Sequence, residues 1–361
     1  MIMGTLCPRF AEKQERTVRQ MTAEPPALSS LPQTTPQPID DASIPATLLG
    51  HPARLALASR SGWTVLAAFR RSLYCRADQG ALLCVGLPSL GPGPLNVLAP
   101  LPPDLDWQKY PVSPGARITR RGQTLTLTPE LRIAFADAPV WRPVAPPDRG
   151  GAATLAAGLQ ALASEMDRLA PQDGLASFIP GLVTGRPPSP PGSGLARELI
   201  RAAAPAVAAL RTWLTTVMSP GAVLPSPPPD VERLVGLGPG LTPSGDDLLG
   251  GTLIALRALG WPAAADALGT WLRPCARPRT HAISYAHLSC AADGQGAGAV
   301  HDTLAALCLR GAPRLREHLG ALGTLGHSSG WDALAGVVLA AKVAAASRSA
   351  APRSRTEQET A

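Results

Sequence analysis

A chain of 361 residues is long enough for two domains of roughly 100–200 residues each and for a sizeable core. Hydrophobic residues make up 45%, which marks a globular protein rather than a disordered one, although only 4% are aromatic. The net charge is +7, but the arginines are mostly scattered singly without a basic run or interleaved aromatics, so the charge reads as solvated surface compatible with a small anionic ligand and not as a nucleic-acid interface.

Residues 1–45 are polar and then proline-rich (PPALSSLPQTTPQP), the composition of a disordered extension. The opening MIMGTLCPRFAEKQERTVRQ lacks an apolar stretch, so no secretory leader is expected. Cys7, Cys75, Cys84, Cys275, Cys290 and Cys308 form no CxxC pair and read as reduced thiols of a cytoplasmic protein. The longest apolar windows are interrupted by Arg211, Arg257 and Lys342, which argues against a membrane span.

Residues 46–148 carry short apolar runs bounded by turn residues: Arg54–Ala58, Trp63–Phe69, Ala81–Leu87, Pro94–Pro100, Gln123–Pro129 and Leu131–Asp137. TLTLT alternates with period two, as a half-buried strand does. The pattern predicts a small β-rich domain, a barrel or a sandwich. Within it GPGPLNV, Gly91–Val97, reads as a turn, with a wall of a ligand cleft as the alternative.

Residues 149–346 carry longer runs at helical spacing: AATLAAGLQALASEMDRLA, LARELIRAAAPAVAALRTWLTTVM, DDLLGGTLIALRALG and ALAGVVLAAKVAAA, with proline-rich breaks at Pro187–Pro191 and Pro225–Pro229. This half is expected to be mostly α-helical, which makes the whole an α+β protein, and residues 347–361 read as a frayed tail.

The densest chemistry lies in GLGPGLTPSGDDLLGG, Gly236–Gly251. Gly236, Gly238, Gly240 and Gly245 permit tight turns and close approach to a ligand, while Pro239 and Pro243 stiffen the loop. Thr242 or Ser244 is placed to cap the following helix, with Asp246 and Asp247 in its first turn. Capping accounts for one Ser and one Asp but not for four glycines and two prolines. A phosphate loop is disfavoured because its lysine is missing and two adjacent aspartates would repel the anion. Metal-assisted anion binding, with a divalent cation, and action of an Asp on an amide or amine both stay open, and no metal ligands are assigned.

In RPRTHAISYAHLSCAADGQG, Arg277–Gly296, Arg279 is a candidate for holding an anion, and Thr280 and Ser284 open a helix beside it. Cys275, His281, His287, Cys290 and His301 match no standard zinc spacing. GHSSGWDALAG, Gly326–Gly336, repeats the loop-to-helix design: Ser328 or Ser329 as cap, Gly330, Asp332 in the first turn, and His327 as a candidate acid or base. SGDDLLGG and SGWDALAG share S-G-x-D-x-L-x-G, and capping alone does not require both glycines. The echo predicts two helix starts facing one cleft, with Asp247 and Asp332 both on the ligand.

These three motifs, in this order and with the weaker GPGPLNV, resemble a bacterial family associated with AllH, a subunit of oxamate carbamoyltransferase, over roughly Ala46 to Ala346. The middle motif departs from the family's in having His281 after Thr280, where a second Thr is usual. The resemblance implies a subunit that works with partner proteins in allantoin breakdown, on small anions such as oxamate or carbamoyl phosphate. A non-catalytic ligand-binding or assembly subunit is the second reading. On the first, Asp246, Asp247 and Asp332 would orient an amide or bind a cation, and the glycine loop with Arg279 would hold the anion; neither nucleic acid nor a membrane is expected as a partner.

Overall fold

The computed structural model describes residues 43–59, 62–146, 149–169, 173–185, 194–219 and 221–350. The N-terminal extension up to residue 42, the Pro187–Pro191 break and the tail beyond residue 350 lie outside them. The described residues form a β-rich N-terminal half followed by a helical half, as the hydrophobic periods predict.

The first half contains β1 (Ile44–Pro45), β2 (Leu48–Gly50), α1 (His51–Ala58), β3 (Trp63–Ala68), β4 (Ser72–Ala77), β5 (Leu82–Gly86), β6 (Asn96–Leu98), β7 (Arg117–Arg121), β8 (Thr124–Thr126), β9 (Arg132–Ala134) and β10 (Val140–Trp141). The sheet runs β1-β9-β8-β7-β3-β4-β5-β6-β2-β10. Its two ends meet on one stretch of chain, since β1 is one edge and β2, next along the chain, lies beside the other edge, β10. Ile44 of β1 pairs with Ile133 of β9, and four residues on Leu48 of β2 pairs with Leu98 of β6. Between them Ala46 N–H donates to Ala134 O at 2.7 Å and Thr47 N–H to Leu98 O at 2.7 Å. The sheet therefore curls into a barrel and hides its edges, around buried Trp63, Leu73, Leu83, Val97, Leu125, Ile133 and Phe135.

Three boundaries differ from the sequence reading. Arg54–Ala58 belongs to a helix: Pro52 sits in the first turn, and Ala53 and Leu57, four apart, form its buried face. Ile44 and Pro45, placed in the polar extension, are strand residues because they complete the barrel seam. The last helix continues past residue 346 to Ala350, where Arg348 donates to the carbonyls of Arg149, Gly150 and Leu259 and ties the final turn down.

The helical half comprises α2 (Ala152–Leu169), α3 (Phe178–Thr184), α4 (Gly194–Val217), a 3₁₀ turn (Pro229–Leu234), α5 (Ser244–Ala258), α6 (Pro262–Ala276), α7 (Ala282–Ala292), α8 (Gly298–Leu307), α9 (Leu315–Leu322) and α10 (Ser329–Ala350). Helix α10 is the axis of this half. Its residues from Leu334 to Ala341 are all buried, the signature of a helix that is apolar all round because neighbours surround it. By length and composition it is the one helix among the described residues able to cross a membrane, with mean hydropathy 1.3, but 61% of that window is buried inside the fold. Lys342 donates from Nζ to Val183 O at 2.8 Å, which satisfies its charge beside α3.

Helices α5 and α10 cross backbone to backbone. A Cβ at Gly251 would overlap the carbonyl oxygen of Ala333, and one at Gly336 would overlap that of Leu248. The two glycines of the sequence echo are thus each other's counterparts at one crossing. Gly251→Ala and Gly336→Ala are expected to lower stability by about 3 kcal/mol or more, since the obstacle is backbone and cannot swing aside. Gly250→Ala, whose Cβ would meet nothing nearer than Ala291 Cβ at 3.7 Å, is expected to be neutral or slightly stabilising. Urea unfolding of the three variants checks this; equal losses for all three would contradict it.

Candidate functional site

The loops entering α5 and α10 share one backbone design. Leu237 N–H donates to Leu234 O at 3.0 Å and Leu325 N–H to Leu322 O at 3.1 Å. Gly245 N–H then reaches back to Leu237 O, and Gly330 N–H to Leu325 O. Asp247 N–H donates to Pro243 O at 3.1 Å, and Asp332 N–H to Ser328 O at 2.9 Å. Each helix start is locked onto the end of the preceding turn or helix, so its first-turn side chains are rigidly aimed.

Neither Thr242 nor Ser244 caps α5; the residue before its first turn is Pro243 and no side-chain cap bond is made. The hydroxyls instead cross to the other helix start. Thr242 Oγ1 and Ser329 Oγ are 2.8 Å apart. Hydrogen bonding from Ser329 and Thr242 favours the charged form of Asp247, and hydrogen bonding from Ser244 and Ser328 favours that of Asp332. The exchange is reciprocal, because the crossing brings both starts together.

The three aspartates have different surroundings. Asp246 is saturated: Gly236 N–H donates to Oδ1 at 2.8 Å, and Ser284 Oγ, at 2.6 Å, and Thr280 Oγ1 both donate to Oδ2. Burial pushes its pKa up, against those donors. Asp332 is fully buried, takes Leu175 N–H on Oδ1 at 2.5 Å and Ser328 Oγ on Oδ2 at 2.9 Å, and has its pKa pushed up to about 6 by burial. Asp247 is the unsatisfied one. Its Oδ2 is sealed from solvent and has no hydrogen-bond partner among the described residues. Burial first, and the Asp332 carboxylate second, push its pKa well above the usual carboxylate range.

Asp247 faces a cleft of about 580 Å³ between barrel and helices. The helical wall includes Thr242, Asp246, Gly250, Ser284, His287, Ser329 and Gly330; the barrel wall includes Arg70, Arg71, Tyr74, Cys84, Pro92, Pro94 and Asn96. The walls are pinned by Tyr74 Oη and His287 Nε2 at 3.2 Å, by Gly298 N–H donating to Pro92 O at 2.8 Å, and by a small apolar cluster of Leu82, Leu95 and Ile283. The Gly91–Val97 segment, read as a turn, is therefore also a wall of the cleft, held open by Asn96 Nδ2 donating to Gly91 O at 2.8 Å.

Of the residues singled out in sequence, Asp246, Asp247, Thr242, Ser284, Ser329 and Gly330 line this cleft. Gly238, Ser244, Gly245, Thr280 and Ser328 stand behind it as support: Gly238 has φ +113° and packs on Ser244, and Gly245 packs on the Leu234 carbonyl. Gly240 is exposed at the loop tip. His327 points outward, 82% exposed, with Nε2 3.1 Å from Asp173 Oδ2. Arg279 is turned to Glu232 on the outer side of the loop, so its charge is matched outside the cleft. Asp332 does not line the cleft and is capped by Leu175 instead.

Sequence reading missed Arg70, Arg71 and Tyr74, and named His287 only among the residues weighed and set aside as zinc ligands. Arg70 and Arg71 occupy the tight turn joining β3 to β4, where Phe69 N–H donates to Ser72 O at 2.8 Å, so an adjacent pair of arginines at a hairpin tip was the available signal. Burial lowers the pKa of His287 to about 4 and raises that of Cys84 to about 12, so neither an imidazolium nor a thiolate is favoured there near neutral pH. Among the described residues no group of three or more His, Cys, Asp or Glu is arranged to hold a metal ion.

Residues 234–341 match the family model described as oxamate carbamoyltransferase subunit AllH. The AllH match starts at the end of the 3₁₀ turn, takes in both motif loops and ends within α10. It is narrower than the resemblance read from the motifs and leaves the barrel outside. No curated protein and no solved structure matches the chain.

The buried carboxyl of Asp332 carries a pH signature. Its folded-state pKa of about 6 lies above the usual value of 3.8, so its contribution is undiminished at low pH and is lost as pH rises from about 4 through 6. The loss is on the order of 3 kcal/mol. His287 and His301, both lowered to about 4 by burial, give the opposite slope between about 6.5 and 4. The informative quantity is thus the difference between the wild type and Asp332→Asn, which should grow in the variant's favour from pH 4 to 7 in thermal melts. A pH-independent difference would contradict the assignment.

Proposed function

We propose that the protein is a subunit of a carbamoyltransferase-type assembly and that its cleft binds a small anion with an amide or carbamoyl end. The AllH match over the motif-bearing helices supports the assembly, since that description is of a subunit. The binding role is carried by one observation: Arg70 and Arg71 line the same cleft as the unsatisfied carboxyl of Asp247. Guanidinium groups suit a carboxylate or phosphate, and the backbone N–H groups of two helix starts add to the field for an anion. The mixed charge of the walls orients a ligand that is anionic at one end and polar but neutral at the other. Oxamate and carbamoyl phosphate both have that form. The free thiols are consistent with work in the cytoplasm, and partner subunits complete the reaction.

A second reading, that the chain binds and positions substrate without performing the chemistry, is favoured by the state of the cleft's other groups. Burial takes His287 and Cys84 out of the range useful for proton transfer or nucleophilic attack near neutral pH.

Calorimetric titration with oxamate and with carbamoyl phosphate tests the proposal directly. Arg70→Gln with Arg71→Gln is expected to weaken binding at least tenfold, from the loss of charge-assisted hydrogen bonds of about 1.5–3 kcal/mol each, while both side chains are exposed and the melting temperature should hold. The isolated chain is expected to show no carbamoyl transfer until partner subunits are added. Robust turnover by the chain alone would reject the subunit reading, and absence of binding by either anion would reject the ligand.

A further inference from the structure

The two helix starts share their first-turn backbone bonds, Asp247 N–H to Pro243 O and Asp332 N–H to Ser328 O, and their reciprocal hydroxyl contacts, so each reports on the other. At the α10 start both oxygens of Asp332 are served, by the N–H of Leu175 at 2.5 Å and the hydroxyl of Ser328 at 2.9 Å, with the hydroxyl of Ser244 beside them. The approach of Leu175 is close because Gly174 precedes it. Gly174 has φ +77°, and a Cβ there would overlap Asp332 Oδ1. At the α5 start the hydroxyls of Thr242 and Ser329 serve the carboxyl of Asp247, but among the described residues none reaches Oδ2. Pro243 stands in the place of Ser328 without a hydroxyl or an N–H, and Asp247 lines the cleft. Asp247 Oδ2 is left sealed from solvent and without a partner among the described residues. A buried acceptor without a donor costs about 1–3 kcal/mol, and the sister site shows what restores it.

We propose that Asp247 accepts an N–H group of the bound ligand in the way Asp332 accepts the backbone N–H of Leu175, so that the cleft selects amides, ureas or amines over carboxylates of the same shape. Leu175 is the chain's own copy of that ligand group, and Asp332 is a positioning residue rather than a ligand-binding one. The inference rests on the cleft being the binding site, but not on carbamoyl transfer. The nearby Asp332 carboxylate adds to the cost of placing a second anion beside Asp247.

The test uses matched probes on the full chain: oxamate against oxalate by calorimetry, and acetamide and urea against acetate by protein-observed NMR titration. The N–H member of each set is expected to bind at least tenfold more tightly. Asp247→Leu should abolish the preference, and Asp247→Asn, whose amide can itself donate, should shift it toward the carboxylate member; Asp332→Asn should retain it. If Asp247→Leu does not fold, the Asn variant alone decides. Equal binding of oxamate and oxalate would overturn the inference while leaving the carbamoyltransferase reading standing. Failure of oxamate together with Asp247-dependent binding of acetamide or urea would do the reverse. Binding of no N–H probe would also overturn it.

Discussion

The contact of α5 with α10 through Gly251 and Gly336 governs the helical half. Two backbones can approach this closely only where neither helix carries a Cβ, and each glycine faces a carbonyl of the other helix. Thr252 Oγ1, one residue on, bonds Leu248 O at 2.9 Å within its own helix and lies 3.3 Å from Gly336 O across the crossing. The rest of the half is arranged around this pair, with α10 as the buried axis. Because the crossing falls within two turns of both N-termini, it also delivers both first turns, with their serines and aspartates, to one place.

That placement has an electrostatic consequence. Two buried carboxyls close enough to repel cannot both ionise at little cost. The protein resolves this unevenly. Asp332 receives donors on both oxygens, and Asp247 is left with one oxygen unserved beside the cleft. Asp246, next in sequence to Asp247, holds the loop instead: its oxygens gather Gly236, Ser284 and Thr280 and so join the α5 loop to the start of α7. A pair of adjacent aspartates thus divides into one that builds the site and one that is offered to it. The barrel then supplies what the helices lack, positive charge at the hairpin tip and a rigid Gly/Pro wall, through contacts as specific as Tyr74 to His287.

Much of this was legible in the chain. Period-two runs such as TLTLT and period-3.6 runs such as that of α4 report which face is buried, and burial follows directly from side-chain type, so the α+β division could be read from residues alone. The S-G-x-D-x-L-x-G echo marked both glycines of the crossing and both carboxyls, because a requirement repeated at two places leaves the same residues at both. What tertiary structure alone decided is which groups share the cleft. Barrel closure depends on Ile44 meeting Ile133, the Arg70–Arg71 turn depends on that barrel docking against α7, and Asp332 depends on a glycine far earlier in the chain, Gly174. Local pattern can specify a helix start and its first carboxylate. It cannot say whether the hydrogen-bond donor for that carboxylate comes from the chain itself or from outside, because donors reach a buried carboxylate through space and not along the sequence.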